Sequence, residues 1–290
     1  MRTWIVVNPT AGRGRALRVW RRLEGLIKGR GLNFELFFTE RPGHAIELGR
    51  QAAENQIEQL VAVGGDGTLH ELVNGLGPSG QRLAIIPAGT GNDLARTLRI
   101  PQQPEAALDI LLAKKERTID LGMVNGHYFT NIAGIGFDAE VAYQVNTGRH
   151  YLNGTITYLV AVLTQLWSYR CRPAEILLDG EKIERRIFLV AVGNAKYYGG
   201  GMQMVPTAEP DDGALDVVLG WDFGRLETLR ALTLVFSGRH TGLKKILVKR
   251  AREVEVRSTD PLNIHADGEF IGTTPARFQV ARRALRIAVP

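Results

Sequence analysis

Leu60-Val61-Ala62-Val63 runs straight into Gly64-Gly65-Asp66-Gly67-Thr68, and a helix-like stretch opens at Leu69. Glycines let the backbone approach an anion closely and turn its N–H groups inward. The first turn of the following helix adds unpaired donors and the positive end of its dipole. A phosphate site follows naturally from that arrangement. Asp66 is the informative residue, because a carboxylate repels phosphate unless a magnesium ion, bound directly or through water, lies between them. The plainer alternative is a tight Gly turn in which Asp66 or Thr68 caps the helix.

The same grammar recurs on either side. Leu83 to Ile86 leads into Pro87-Ala88-Gly89-Thr90-Gly91-Asn92-Asp93, and Trp4 to Val7 leads into Asn8-Pro9-Thr10-Ala11-Gly12. A further strand-like run, Phe34 to Phe38, ends at Thr39, which either reaches a nucleotide or is a solvated loop residue. Amphipathic segments 16–27 and 45–53 separate these runs, and strand alternating with helix predicts a doubly wound, mostly parallel sheet. Ligands of such sheets sit at the carboxyl ends of the strands, so the turns are expected on one rim.

Competing phosphate motifs are missing. No Gly-Lys-Ser or Gly-Lys-Thr occurs, which removes a Walker A loop, and Gly12-Arg13-Gly14-Arg15-Ala16-Leu17 lacks the third glycine of a dinucleotide fingerprint. His70-Glu71 starts like a zinc-protease helix, but Asn74 stands where the second His is required. Cys171 is the single cysteine, which excludes an internal disulfide and thiolate zinc sites and suits a reducing cytoplasm. The N-terminus reads as a short strand rather than a signal peptide. With 36 Lys and Arg against 30 Asp and Glu, the formal charge is +6, compatible with nucleic acid, anionic lipid or phosphorylated ligands. Nucleic acid is the least supported, since no recognition-helix, RNA-binding-sheet or zinc-finger pattern is present.

After about Asp120 the texture becomes β-rich, with hairpin signals at Asn125-Gly126 and Asp179-Gly180. Two domains are expected, 1–120 and 121–290. The uncharged stretch Tyr151 to Tyr169 holds too many polar residues for a membrane span and is expected as a helix buried against the β-rich half, a lipid-touching helix being the alternative.

In their order these motifs resemble the diacylglycerol kinase catalytic family, particularly the bacterial lipid kinases, over nearly the whole chain. The matching segments are Val7 to Gly12, Gly64 to Thr68, Pro87 to Arg96, Ile119 to Gly122, Asn131 to Asp138, Tyr198 to Asp216 and His265-Ala266-Asp267-Gly268-Glu269. The resemblance implies ATP on the rim of the first domain, a C-terminal β-sandwich, and a lipid acceptor entering the cleft between them. It further implies nucleotide contacts from Asn8, Gly12, Thr39, Gly65, Asp66, Gly67, Thr68 and Thr90. Asp66, Asp93 and Asp120 would form the carboxylate network around a catalytic Mg2+. A structural Mg2+ is implied at Asp212 and at the backbone carbonyls of Glu209 and Ala214; read alone, Pro210-Asp211-Asp212-Gly213 is a good turn.

An alcohol needs a base to take its proton. Asp267 and Glu269 are the candidates, at the place where the family puts its base; Glu269 is expected as acceptor with Asp267 positioning it, although the two roles are exchangeable, and a plain Asp-Gly hairpin is the alternative. The expected reaction is transfer of a phosphoryl group from ATP to a lipid alcohol, with diacylglycerol foremost. A soluble acceptor such as NAD and a non-catalytic nucleotide- or lipid-binding regulator are the rivals. Arg239, His240, Lys244, Lys245, Lys249, Arg250 and Arg252 are either a solvated basic face or a docking site for the anionic inner face of the membrane. The oligomeric state is open, dimers being common among soluble oligomers.

Overall fold

The computed structural model describes residues 2–147, 162 and 164–290. Its first unit contains β1 (Thr3–Val7), α1 (Ala11–Gly29), β2 (Phe34–Phe38), α2 (His44–Glu54), β3 (Gln59–Gly64), α3 (Asp66–Leu76), β4 (Arg82–Pro87), α4 (Asp93–Thr97) and α5 (Pro104–Leu112). The strands pair in parallel in the order β4-β3-β1-β2. Connection β1-α1-β2 steps one way along the sheet, and β2-α2-β3 steps back past β1. Right-handed crossovers therefore place α1 on one face and α2 and α3 on the other. The helices α2 and α3 meet backbone to backbone: a Cβ on Gly75 would lie 2.0 Å from the Ile46 carbonyl oxygen, and one on Gly49 2.6 Å from that of Leu72. β1, β3 and β4 are buried along their length, as strands covered on both faces must be.

The second unit contains β5 (Glu116–Val124), β6 (His127–Phe129), β7 (Ile132–Gly136), α6 (Phe137–Thr147), β8 (Arg172–Leu178), β9 (Glu181–Gly193), β10 (Leu215–Trp221), α7 (Arg225–Leu234), β11 (Ile246–Ala251), β12 (Glu253–Ser258), β13 (Asn263–Ala266), β14 (Glu269–Thr273) and β15 (Ala276–Ala288). It is a β-sandwich built largely of antiparallel pairs around its own apolar core, which includes Phe129, Ile135, Val190, Val217, Val254 and Phe278. Three hairpin turns, at Asn125-Gly126, Asp179-Gly180 and Asp267-Gly268, have positive φ at both central residues, the requirement of the turn that matches strand twist. Of the expected helix Tyr151 to Tyr169, Val162 and residues 164–168 are helical, and most of the rest lies outside the described residues.

The division at Asp120 falls inside β5, and the first unit is discontinuous. β15 leaves the sandwich, where it pairs with β12, and ends in parallel with β4, pairing Arg286 with Arg82 and Ile287 with Leu83. Leu285, Ile287 and Ala288 are accordingly part of the first core. The bend lies at a register break between Ala281 and Leu285, with Arg283 at φ 51°. A bulge that increases local twist is a standard way for a strand to change sheets.

Candidate active site

The three turns form one hydrogen-bonded rim. Asn8 Nδ2 donates to Thr68 Oγ1 at 2.9 Å, while Asn8 Oδ1 accepts from the Thr10 amide at 3.1 Å and its hydroxyl at 2.9 Å. Gly12 has φ 56°, and a Cβ there would strike the Ala88 carbonyl oxygen at 2.2 Å, so the first turn lies against the third. Gly65 and Gly89 touch through their backbones: a Cβ on Gly89 would sit 2.3 Å from the Gly65 Cα. The Gly89 amide donates to Gly64 O at 3.1 Å and to Asn92 Oδ1 at 2.9 Å. Thr39 follows β2, and its amide donates to Val7 O at 2.9 Å, which sets it beside the first turn.

α3 has no side-chain cap, so the donors of its first turn stay directed at the rim. Asp66 works elsewhere. Its Oδ2 accepts the Asn92 amide and its Oδ1 the Asp93 amide, both at 2.7 Å, so it caps the start of α4 in the neighbouring turn. Asp93 Oδ2 accepts the Gly200 amide at 2.8 Å, whereas its buried Oδ1 has no hydrogen-bond partner and lies 3.9 Å from Arg96 Nε. Burial, then the Asp93 charge, pushes the Asp66 pKa up to about 6 against the amide bonds that oppose it. Asp93 is also raised, foremost by burial. Two buried carboxylates, one with an oxygen that accepts no hydrogen bond, would suit a divalent cation such as Mg2+.

Opposite the rim stands the Asp267-Gly268 hairpin. Asp267, with its side chain 1% exposed, accepts the Thr130 amide at 2.8 Å and hydroxyl at 3.0 Å, the Asn131 amide at 2.9 Å and the Ile132 amide at 3.1 Å. His70 Nδ1, from α3, lies 3.5 Å away. Burial alone would raise the Asp267 pKa, but His70 and these amides hold it below its ordinary value. His70 is shifted upward: burial would lower it, and Asp267 with Glu269 outweighs that. Asp267 is therefore a saturated anion clasping the two units, unsuited to take a proton. Glu269 is exposed, and its Oε1 lies 3.6 Å from where a Gly67 Cβ would be. The hairpin thus brings Glu269 against the Gly64 to Thr68 turn, separating two residues whose roles were exchangeable in sequence.

Behind the hairpin is a buried dyad of His265 and Asp138, two residues of the matching segments to which the resemblance gave no role. His265 Nδ1 accepts the Gly268 amide at 3.2 Å, so Nε2 carries the proton and donates to Asp138 Oδ2 at 3.1 Å. His265 also stacks on Tyr198, with centroids 5.1 Å apart. The open cleft, about 570 Å³, is lined by Asp66, Thr90, Gly91, Asp93, Asp267 and Gly268 on its polar side and by Ala142, Val145, Met202 and Phe236 on its apolar side.

The remaining expected residues lie away from this cleft. Asp120 does not line this cleft: its Oδ2 accepts the Gly213 amide at 2.7 Å and its Oδ1 the Arg283 amide at 2.6 Å, pinning the β15 bend to the loop before β10. At the expected cation site of Asp212 with the Glu209 and Ala214 carbonyls, the side chains of Asp212 and Glu209 make ion pairs. Asp212 Oδ2 pairs with Arg250, its Oδ1 accepts the Ala214 amide at 3.1 Å, and Glu209 Oε1 lies 2.6 Å from Lys196 Nζ. Among the described residues no group of three or more His, Cys, Asp or Glu side chains converges. The basic cluster is largely spent: Lys245 pairs with Glu227, Lys249 with Glu181 and Arg250 with Asp212, while His240 is 3% exposed. Among the described residues no helix is long and apolar enough to cross a membrane.

Glycine turns with inward-facing amides opposite a carboxylate-bearing hairpin suit a phosphotransferase with an alcohol acceptor. Residues 2–124 match the family model described as the diacylglycerol kinase catalytic domain, and residues 131–289 that of the YegS C-terminal NAD kinase beta sandwich-like domain. The chain belongs to the diacylglycerol kinase family. It is 32% identical to the diacylglycerol kinase of Bacillus subtilis (strain 168), covering 100% of this chain and 96% of the relative. To that of Mycobacterium tuberculosis (strain ATCC 25618 / H37Rv) it is also 32% identical, over 98% and 94%. A solved diacylglycerol kinase structure from Bacillus anthracis str. Sterne superposes with a TM-score of 0.76 at 23% identity, over 100% of this chain and 97% of that one, a likeness of fold.

Proposed function

We propose that this protein transfers the γ-phosphoryl group of ATP, with Mg2+, to the hydroxyl of a lipid, and that diacylglycerol is the acceptor, giving phosphatidic acid. The observation that carries the reading is the meeting of Glu269 with the Gly64 to Thr68 turn, beside a cleft lined by Asp66, Asp93 and Asp267 together with Ala142, Val145, Met202 and Phe236. The names of the full-length relatives support the choice of acceptor.

Asn8, Pro9, Thr10, Ala11, Gly12, Thr39 and the residues of the two later turns surround the nucleotide phosphates, the free amides of α3 supplying donors. Asp66 and Asp93 would hold the Mg2+, which would supply charge neutralisation at the phosphate oxygens. Glu269 takes the proton of the attacking hydroxyl, and Asp267 keeps the hairpin that carries Glu269 in register with the rim. Proton acceptance of this kind contributes roughly 10²–10⁴-fold, with most of the remaining acceleration coming from alignment and charge.

Incubation with radiolabelled ATP, Mg2+ and a panel of lipid alcohols, with NAD as the soluble comparison, tests the proposal. Label should enter the organic extract and co-migrate with phosphatidic acid when diacylglycerol is supplied. Label in NAD phosphate alone would replace the lipid reading with its soluble-acceptor rival, and no transfer to any acceptor would leave the regulator.

A further inference from the structure

His70, Glu71 and Asn74, the residues that fall short of a zinc-protease helix, have another use in the fold. Asp66, His70 and Asn74 are spaced four apart on α3 and share one stripe of that helix. Asp66 stands at the phosphate turn, and the two residues below it face the second unit. Glu71 is committed elsewhere: its carboxylate accepts the Gly43 amide at 2.9 Å and the Ala45 amide at 3.1 Å, at the start of α2. Asn74 grips the backbone of β6 as a neighbouring strand would. Its Oδ1 accepts the Tyr128 amide at 2.8 Å, and its Nδ2 donates to Tyr128 O at 2.9 Å. The second Nδ2 proton goes to His70 O at 2.9 Å, which ties the side chain to its own helix.

Just beyond β6, the amides of Thr130, Asn131 and Ile132 bind the Asp267 carboxylate. Asp267 opens the hairpin that carries Glu269 back to Gly67, on the first turn of α3. The path is a ring that begins and ends on one helix. His70 spans its middle, with a side chain only 8% exposed and Nδ1 3.5 Å from Asp267 Oδ2. Because Asp267 is an anion, Nδ1 carries the proton and donates. Resting on the lipid-kinase reading above, we propose that His70 and Asn74 are positioning residues for phosphoryl transfer, which fix Glu269 over the phosphate turn. The turn and the base are thereby both referenced to α3, although they come from different units. Without the ring, a change in the angle between the two units would be felt directly at Glu269. A displacement of about 1 Å at a reacting group costs up to about 10²-fold in rate.

Transfer from radiolabelled ATP to a dissolved short-chain diacylglycerol reads the role. His70→Leu keeps the volume and removes the donor, and should lower kcat about 10–10²-fold with the KM for ATP within about twofold. His70→Gln returns a donor and should recover most of that loss. In a Glu269→Gln background His70→Leu should cost less than about threefold more, because a misplaced base and a missing one are the same loss. A merely structural role would multiply the two losses. Asn74→Ala, run through the same cycle, is the second test should His70→Leu fail to fold. Hydrogen exchange at the Thr130, Asn131 and Ile132 amides needs no turnover and should quicken in His70→Leu. Wild-type kcat in the folded variants, a full multiplicative loss in the Glu269→Gln background, or unaltered exchange overturns the proposal. Absent turnover in the wild type overturns the kinase reading and the role with it, and is told apart from failure of the brace because the latter leaves the wild type active.

Discussion

Asp66 accepts the backbone amide of Asp93 at 2.7 Å, and the two carboxylates share one buried corner: a Cβ on Gly91 would lie 2.7 Å from Asp66 Oδ2 and 3.3 Å from Asp93 Oδ2. One carboxylate thus builds the turn that presents the other. Both are held against their preference for water, and the corner is poised for positive charge.

Asp93→Asn preserves an acceptor for the Gly200 amide and removes the repulsion on Asp66. It should leave the melting temperature of the ligand-free protein at neutral pH equal or higher, and lower Mg2+-dependent turnover by 10²-fold or more. Calorimetry beside kinetics checks both; wild-type kcat in a folded variant removes Asp93 from cation binding.

The Asp66 pKa, raised to about 6, makes a signed prediction for stability. The folded protein holds this proton more tightly than the unfolded chain. The contribution is full below about pH 4 and is lost as pH climbs through about 6. Between pH 5 and 7.5 the ligand-free wild type should lose more stability than Asp66→Asn. Equal slopes in urea titrations across that range would contradict the raised value.

Glu269→Gln should reduce kcat roughly 10²–10⁴-fold, with the KM for ATP and the melting temperature nearly unchanged, because the side chain is exposed and removes only a proton acceptor. Asp267→Asn should differ in kind, lowering stability by about 1–3 kcal/mol, since it weakens bonds to buried amides. If Glu269→Gln turned over normally, the base would have to be sought elsewhere.

Gly134→Ala tests the dyad without removing either member. Its Cβ would fall 2.1 Å from Asp138 Oδ2 and 2.7 Å from His265 Nε2. Displacing His265 releases the Gly268 amide, so kcat should fall about tenfold or more at little cost in KM for ATP. A variant with unaltered kcat would reduce the dyad to packing.

Asp120→Ala separates architecture from chemistry. Loss of the acceptor for the Gly213 and Arg283 amides should cost about 2–4 kcal/mol. Turnover of the folded fraction should fall less than tenfold. A loss of several hundredfold at unchanged stability would return Asp120 to the cation network.

Leu60 to Thr68 and its two companions were legible because strand, glycine turn and helix are local events, set by side-chain period and backbone freedom. The Asn-Gly and Asp-Gly hairpins were legible for the same reason. Asp120 was misplaced because a carboxylate in a motif carries no sign of whether its acceptors face a ligand or an amide 163 positions away. The pairing within the basic run was hidden for the same reason: Glu181, which pairs with Lys249, is on β9, and Asp212, which pairs with Arg250, is in the loop before β10. The His265–Asp138 pair, separated by 127 positions, had no local signature at all.

From the chain alone come the alternation of elements, the rim of glycine turns and the acidic residues that end them, since these depend on neighbours within one or two turns of backbone. Tertiary structure alone decided that Asp267 is saturated while Glu269 stands free, that Asp66 caps α4 instead of its own helix, and that the last strand returns to the first sheet. Each of those outcomes depends on which distant amide reaches a carboxylate first, and that is fixed by packing two cores around the shared strands β5 and β15.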